Sequence, residues 1–181
     1  PAVLVAGIRT AVLLDDGEVL REVSHREAAT AIGRGVVPIV CHAKAVARRI
    51  GIAPFPARDI LELFAFVRPA QPCLPTVGGV ADALDLPRPK NLVGEAATLA
   101  EAARALLAEL AEIGPREDPD AVAVAAVMGQ GRWQWAGAVL DQLGGANGAI
   151  ASAAGLQVWH RLPEASDHAP EAPAGTAPIE P

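Results

Sequence analysis

Val36-Val-Pro-Ile-Val-Cys41 is a short apolar run held between Gly35 and the polar His42, and its reading decides the fold. Its length and β-branched content mark a buried central strand, with Pro38 near the start, where a missing N–H costs the ladder least. Downstream, Ala43 to Ile50 carries Lys44, Arg48 and Arg49 and is closed by Gly51, which predicts a helix. Upstream, Ser24 with Glu27 three residues on has the spacing of a capping box, and the helix it opens should end near Gly33 and Gly35. Before it, Ala2 to Ala6, Thr10 to Leu14 and Val19 to Val23 are β-rich runs. Asp15-Asp16-Gly17-Glu18 joins the last two, and an Asp-Gly pair in that place predicts a β-hairpin, because glycine accepts the positive φ of a tight turn.

Beyond the central strand the signals become helical. Pro54 and Pro56 make an extended linker; Asp59 then caps Ile60 to Phe66, and Pro69 to Pro75 stops that helix. Thr76 caps a short helix through Leu84. Glu95 to Ile113 is nearly all Ala, Leu, Glu and Arg, the best helix formers, with Leu99, Ala103, Leu106, Leu110 and Ile113 on one side. Further helices are expected over Asp120 to Met128 and Ala136 to Leu143, the second introduced by Arg132-Trp-Gln-Trp-Ala136. After Leu162 the chain is mostly Pro, Ala, Glu and Gly, with little to bury. The expected organisation is an α/β domain over 1–113, a helical extension over 114–162 and a disordered linker over 163–181.

A chain of 181 residues with 51% hydrophobic side chains can bury a genuine core. Aromatics are only 3% and tyrosine is absent, so that core must be built from small aliphatics. The formal net charge of −6 works against a dedicated basic grip on nucleic acid. Cys41 and Cys73 alone suggest reduced thiols and a cytoplasmic setting. No apolar run approaches the ~20 residues that span a bilayer, and the first residues lack a basic leader, so neither membrane insertion nor export is expected.

The chemistry-bearing patterns are sparse. No G-x-x-x-x-G-K-[ST] phosphate loop is present, and Gly78-Gly79 and Gly144-Gly145 suit turns. Two cysteines and four histidines have no paired metal-ligand spacing, and adjacent Cys41 and His42 would point to opposite faces of a strand. Lys44, Arg48, Arg49 and Arg58 form one basic cluster, readable as a phosphate contact or as a solvated helix face. Trp133 and Trp135 are candidates for stacking on bases, or else anchors of the helical region.

Three segments in order give a resemblance. Val40-Cys-His-Ala-Lys-Ala-Val-Ala47 resembles the V-x-H-N-A-x-F-D element of proofreading-type exonuclease domains in the ribonuclease H-like (DnaQ-like) superfamily. Asp59 to Pro69 resembles that family's D-T-L-E-L-A-R segment, and Leu74 to Leu86 its following short helix. The resemblance implies a short mixed sheet with a β-hairpin, flanked by helices. It also implies a two-metal nuclease site, whose ions sit about 4 Å apart within a carboxylate cluster. Here the ligand positions are emptied. Ala43 and Ala47 replace the family's Asn and Asp, the first strand has no D-x-E, and no histidine falls near Asn91 to Glu101. Asp16-Gly17-Glu18 has D-x-E spacing but fits a hairpin tip, and Glu95 and Glu101 fit a solvated helix face. The implied domain is thus a degenerate, non-catalytic one.

The Asp59 to Ala70 stretch, Leu74-Pro-Thr76, Trp133 to Ala136 and the Pro-rich end together resemble the N-terminal region of alphaproteobacterial DinG-type ATP-dependent DNA helicases. That likeness implies an accessory domain for a motor that would follow in the same polypeptide. ATP and magnesium would belong to the motor, with no cofactor in this chain, and single-stranded DNA is a candidate partner. Two alternatives belong to other classes. One is a residual metal-dependent 3′-5′ exonuclease using Asp16, Glu18, Asp59 and Glu95; the other is an oligomerisation module using the Ala-rich helix.

Overall fold

The computed structural model describes residues 1–15, 19–117 and 119–144. Among these, the chain forms five strands and seven helices. The strands are β1 (Val3–Ala6), β2 (Ala11–Leu14), β3 (Leu20–Val23), β4 (Ile39–Val40) and β5 (Arg58–Asp59). The helices are α1 (His25–Gly33), α2 (Ala43–Ile50), α3 (Ile60–Val67), α4 (Val77–Ala83), α5 (Leu92–Glu117), α6 (Pro119–Gln130) and α7 (Ala136–Gln142).

The sheet order is β3-β2-β1-β4-β5. β1, β2 and β3 form an antiparallel meander, with Val3 opposite Leu14 and Leu14 opposite Leu20. β4 then joins β1 in parallel and β5 joins β4 in parallel. The β1–β2 turn is tight: the Gly7 N–H donates to the Thr10 carbonyl at 2.8 Å. A Cβ at Gly7 would lie 2.5 Å from Leu92 Cδ1 and 2.9 Å from the Thr10 carbonyl oxygen, so only glycine lets α5 approach this turn.

Side-chain alternation sends β1 into two cores, which is why its sequence is continuously apolar. Val3 and Val5, with Val12 and Ile39, face α3 to α7. Leu4 and Ala6, with Ala11, Leu13 and Val40, face α1 and α2 through Ala28, Val46 and Ile50. The result is three layers, with the sheet in the middle. α5 is the spine of the larger core. Leu99 and Leu106 are fully buried, and each is worth about 1.5–3 kcal/mol of apolar burial. The apolar stripe that could have served an oligomer interface is therefore occupied within the chain. Arg68 at the end of α3 clamps this layer: its Nε lies 3.0 Å from Glu109 Oε2 on α5, and its Nη1 donates to the Ala83 carbonyl of α4 at 2.9 Å.

The helix boundaries follow local chemistry. Ser24 and Glu27 form the reciprocal capping box, and the two hydrogen bonds from Ser24 hold the Glu27 carboxyl below its ordinary range. Gly51 closes α2 at φ 76°, and Thr76 Oγ1 caps α4 by accepting from the Gly79 N–H at 3.0 Å. Some expectations change. The central strand is reduced to two residues, with Pro38 bonded to β5 through its carbonyl only. β5 lies where the sequence shows only a linker and a cap. α5 starts earlier, at Leu92, because the Asn91 side chain accepts the Gly94 N–H at 2.8 Å. Ala121 and Val124 of α6, Val139 of α7 and Leu143 just after it share one core with the sheet. The hairpin tip, Asp16 to Glu18, and everything after Gly144, the Pro-rich segment included, lie outside the described residues.

Candidate functional site: a cleft and groove around His42

β1 and β4 end side by side, and the chain leaves both at the same edge of the sheet. In open α/β sheets that edge is where ligands are received. His42 takes φ 62° and ψ 73°, a left-handed conformation uncommon for a non-glycine residue, and thereby turns the chain from β4 into α2. Its Nδ1 accepts the Ala45 N–H at 3.1 Å, which makes the ring the cap of α2. Asp59 fixes the same bend from below. Its carboxylate accepts the N–H of His42 at 3.0 Å, of Ala43 at 2.6 Å and of Leu61 at 3.2 Å, so one side chain caps α2 and α3 together.

Above this bend lies a cleft of about 300 Å³, whose walls include Ala6, Cys41, His42, Arg49, Thr76 and Glu95. Arg49 donates from Nη1 to the Ala6 carbonyl at 2.9 Å, which holds the guanidinium at the end of β1. Burial pushes the Glu95 carboxyl above its ordinary range, with Arg49 pulling the other way. Burial, then the charges of Asp59, Cys73 and Glu95, push the Cys41 thiol up to about 12, so it is inert as a nucleophile at neutral pH. Among the described residues, no group of three His, Cys, Asp or Glu side chains could hold a metal ion. The described cleft therefore brings one guanidinium, Arg49, and one half-buried acid, Glu95, together beside His42.

A groove continues on the other side of His42. Its first part, about 330 Å³, is lined by His42, Lys44, Phe55, Asp59 and Glu62. Sharing Ala43, Phe55 and Glu62, it runs into a wider part of about 570 Å³ bounded by Met128, Arg132, Trp133 and Gln134. The Glu62 carboxyl is raised by partial burial and then by Asp59, with the Trp133 N–H opposing. That Trp133 Nε1 is buried and makes no hydrogen bond of normal geometry. One side of the Trp133 ring is tilted against Phe66, with centroids 5.0 Å apart.

The six sequence candidates separate. Lys44 lines the groove, Arg49 the cleft, and Arg48 is exposed on the outer face of α2. Arg58 is not part of their cluster: it lines a cavity with Ala2 and Val36 at the opposite end of the strands, because β5 starts where β4 starts. Trp133 is half-buried at the groove. Trp135 is 1% exposed, and its Nε1 donates to the Asp59 carbonyl at 2.8 Å, so it anchors α7 to β5 and leaves no face for a base. Of the acids considered for a residual nuclease, Asp59 is engaged by three amides and Glu95 sits in the cleft, while Asp16 and Glu18 lie outside the described residues. Sequence reasoning missed Phe55, Glu62 and Arg132, which three separate segments bring together and no local spacing announces. It also missed the role of His42, for which a polar residue at a strand end was the only signal. No protein-family model, curated protein or solved structure matches this chain.

Proposed function

We propose that this is a non-catalytic, exonuclease-like domain of the ribonuclease H-like kind that binds a single nucleic-acid strand and serves as the N-terminal accessory domain of a DinG-type ATP-dependent DNA helicase. The scaffold supports this: a hairpin meander continued by two strands parallel to β1, with helices on both faces. The observation that carries the loss of catalysis is the state of the strand ends. β1 ends in Ala6, and the α2 position that should carry an acid is Ala47, 4% exposed and packed inward. Two hard cations have no carboxylate set there among the described residues.

Binding rests on the combination next to His42. Arg49 and Lys44 supply charge in adjoining cavities, and Phe55 and Trp133 supply aromatic surface at groove depth. Base stacking on an aromatic is worth about 1–3 kcal/mol, enough for a weak, sequence-tolerant hold. The test is fluorescence anisotropy of a labelled single strand titrated with the whole chain at low salt. Binding that weakens with added salt, and weakens further in Lys44→Ala and Arg49→Ala, is expected; no binding at low salt refutes the reading. Manganese should neither raise the melting temperature nor release nucleotides, and either effect would favour the residual exonuclease. The helicase assignment predicts a G-x-x-x-x-G-K-[ST] loop downstream in the same gene.

A further inference from the structure

We propose a second binding site, for a phosphate ester, at the opposite end of the sheet from the cleft. The amino-terminal ends of β1 and β4 and the far end of β2 enclose a cavity of about 530 Å³, lined by Ala2, Leu13, Val36 and Val37 and by three arginines. The arginines come from separate segments: Arg21 from β3, Arg34 from the turn after α1, and Arg58 from β5.

Their compensation is uneven. Asp15 is the one acid on the cavity wall among the described residues; its Oδ1 accepts the Val19 N–H at 3.0 Å and its Oδ2 stands 3.9 Å from Arg21 Nη2. Arg34 makes no side-chain hydrogen bond or ion pair among the described residues. Arg58 spends only its Nε, on the Gln134 carbonyl at a long 3.4 Å. Two arginine forks, Arg34 and Arg58, are therefore left with donors that pair with no carboxylate among the described residues, and both line one cavity. A guanidinium presents parallel N–H donors that match two oxygens of a phosphate, and two of them neutralise a dianion.

The cavity is larger than an inorganic phosphate and falls in the range of small-molecule sites. Leu13, Ala31, Val36 and Val37 give it an apolar wall for the organic part of the ester. A mononucleotide and the phosphorylated end of a strand carry this same chemistry. The site lies apart from the cleft and meets the groove wall through the Arg58–Gln134 bond, and it stands whether or not cleft and groove bind a strand.

The test is isothermal titration of the whole chain with inorganic phosphate, AMP, ATP and a short single strand with and without a 5′-phosphate. Saturable binding of AMP or ATP is expected, weakened about tenfold or more by Arg34→Ala, since a charge-assisted hydrogen-bonding fork is removed. Arg34 is exposed, so that variant should keep its melting temperature. Arg58→Lys, which retains the charge and loses the fork, should also weaken binding while the fold is retained. Binding of the strand only when phosphorylated assigns the site to strand ends; binding of nucleotides alone assigns it to free nucleotide. No binding of any of these at millimolar concentration, or binding indifferent to both substitutions, overturns the proposal.

Discussion

Removing the Asp59 carboxylate should cost this fold more than a surface acid ever does, and the amount can be worked from its contacts. Asp59→Ala leaves three backbone N–H groups, of His42, Ala43 and Leu61, without the acceptor that now stands 2.6 to 3.2 Å away. Two of them open α2 and one opens α3, so two helix caps are lost at once. A single cap is worth about 0.5–2 kcal/mol, and an orphaned buried donor about 1–3 kcal/mol. Water reaches the His42 side of the bend and recovers part of this. The expected loss is about 3 kcal/mol, or roughly 6–12 °C in Tm for a chain of this size. Asp59→Asn keeps one acceptor oxygen but turns an NH2 group toward an amide, so it should fall between wild type and the alanine variant. Urea denaturation followed by circular dichroism measures all three. A loss below about 1 kcal/mol in Asp59→Ala would refute the capping account. Stabilisation of the wild type by manganese that disappears in Asp59→Asn would instead make Asp59 a metal ligand.

Four further outcomes are expected. Gly7→Ala should destabilise by about 1–3 kcal/mol, because the new Cβ meets the Thr10 carbonyl and the Leu92 methyl; an unchanged denaturation midpoint would show that the turn relaxes freely. Trp135→Phe removes the donor to the Asp59 carbonyl and shrinks a fully buried side chain, and should cost about 2–4 kcal/mol in the same assay. In native protein at pH 8, a thiol reagent should label the less buried Cys73 well before Cys41, whose thiol is pushed up to about 12; equal rates would contradict the burial of Cys41. Glu95 titrates above its unfolded value, so the unfolded state gives up this proton first and stability is lost as pH rises from the unfolded pKa through the folded one. Glu95→Gln should therefore be more stable than wild type at pH 7 and indistinguishable at pH 4; a gain at both would place the effect elsewhere.

Elements governed by neighbours in sequence were legible. Ser24 with Glu27, Asp59, Thr76 and Gly51 each mark a boundary through a bond made within four residues, and the structure places the boundary there. The Leu99 to Leu110 stripe was legible because α5 buries one side continuously. β5 was not, because two residues paired to β4 leave no periodicity behind. The candidate site was legible only in pieces. Lys44 and Arg49 share a helix yet line cavities on either side of His42, whereas Arg58 belongs elsewhere because strand order, and not spacing, fixes its position. Trp133 and Trp135 are two residues apart yet have opposite fates, since the turn before α7 sends one indole under Asp59 and the other against Phe66.

The Trp135 indole bond also gives the molecule a mechanical character. Asp59 receives the bend of β4 on its carboxylate and the indole of Trp135 on its carbonyl, so one residue is a rivet between the C-terminal helices and the floor of the groove. A load on α7 would thus pass to the place where His42 parts the cleft from the groove by way of the indole, as well as to the meander by way of α5.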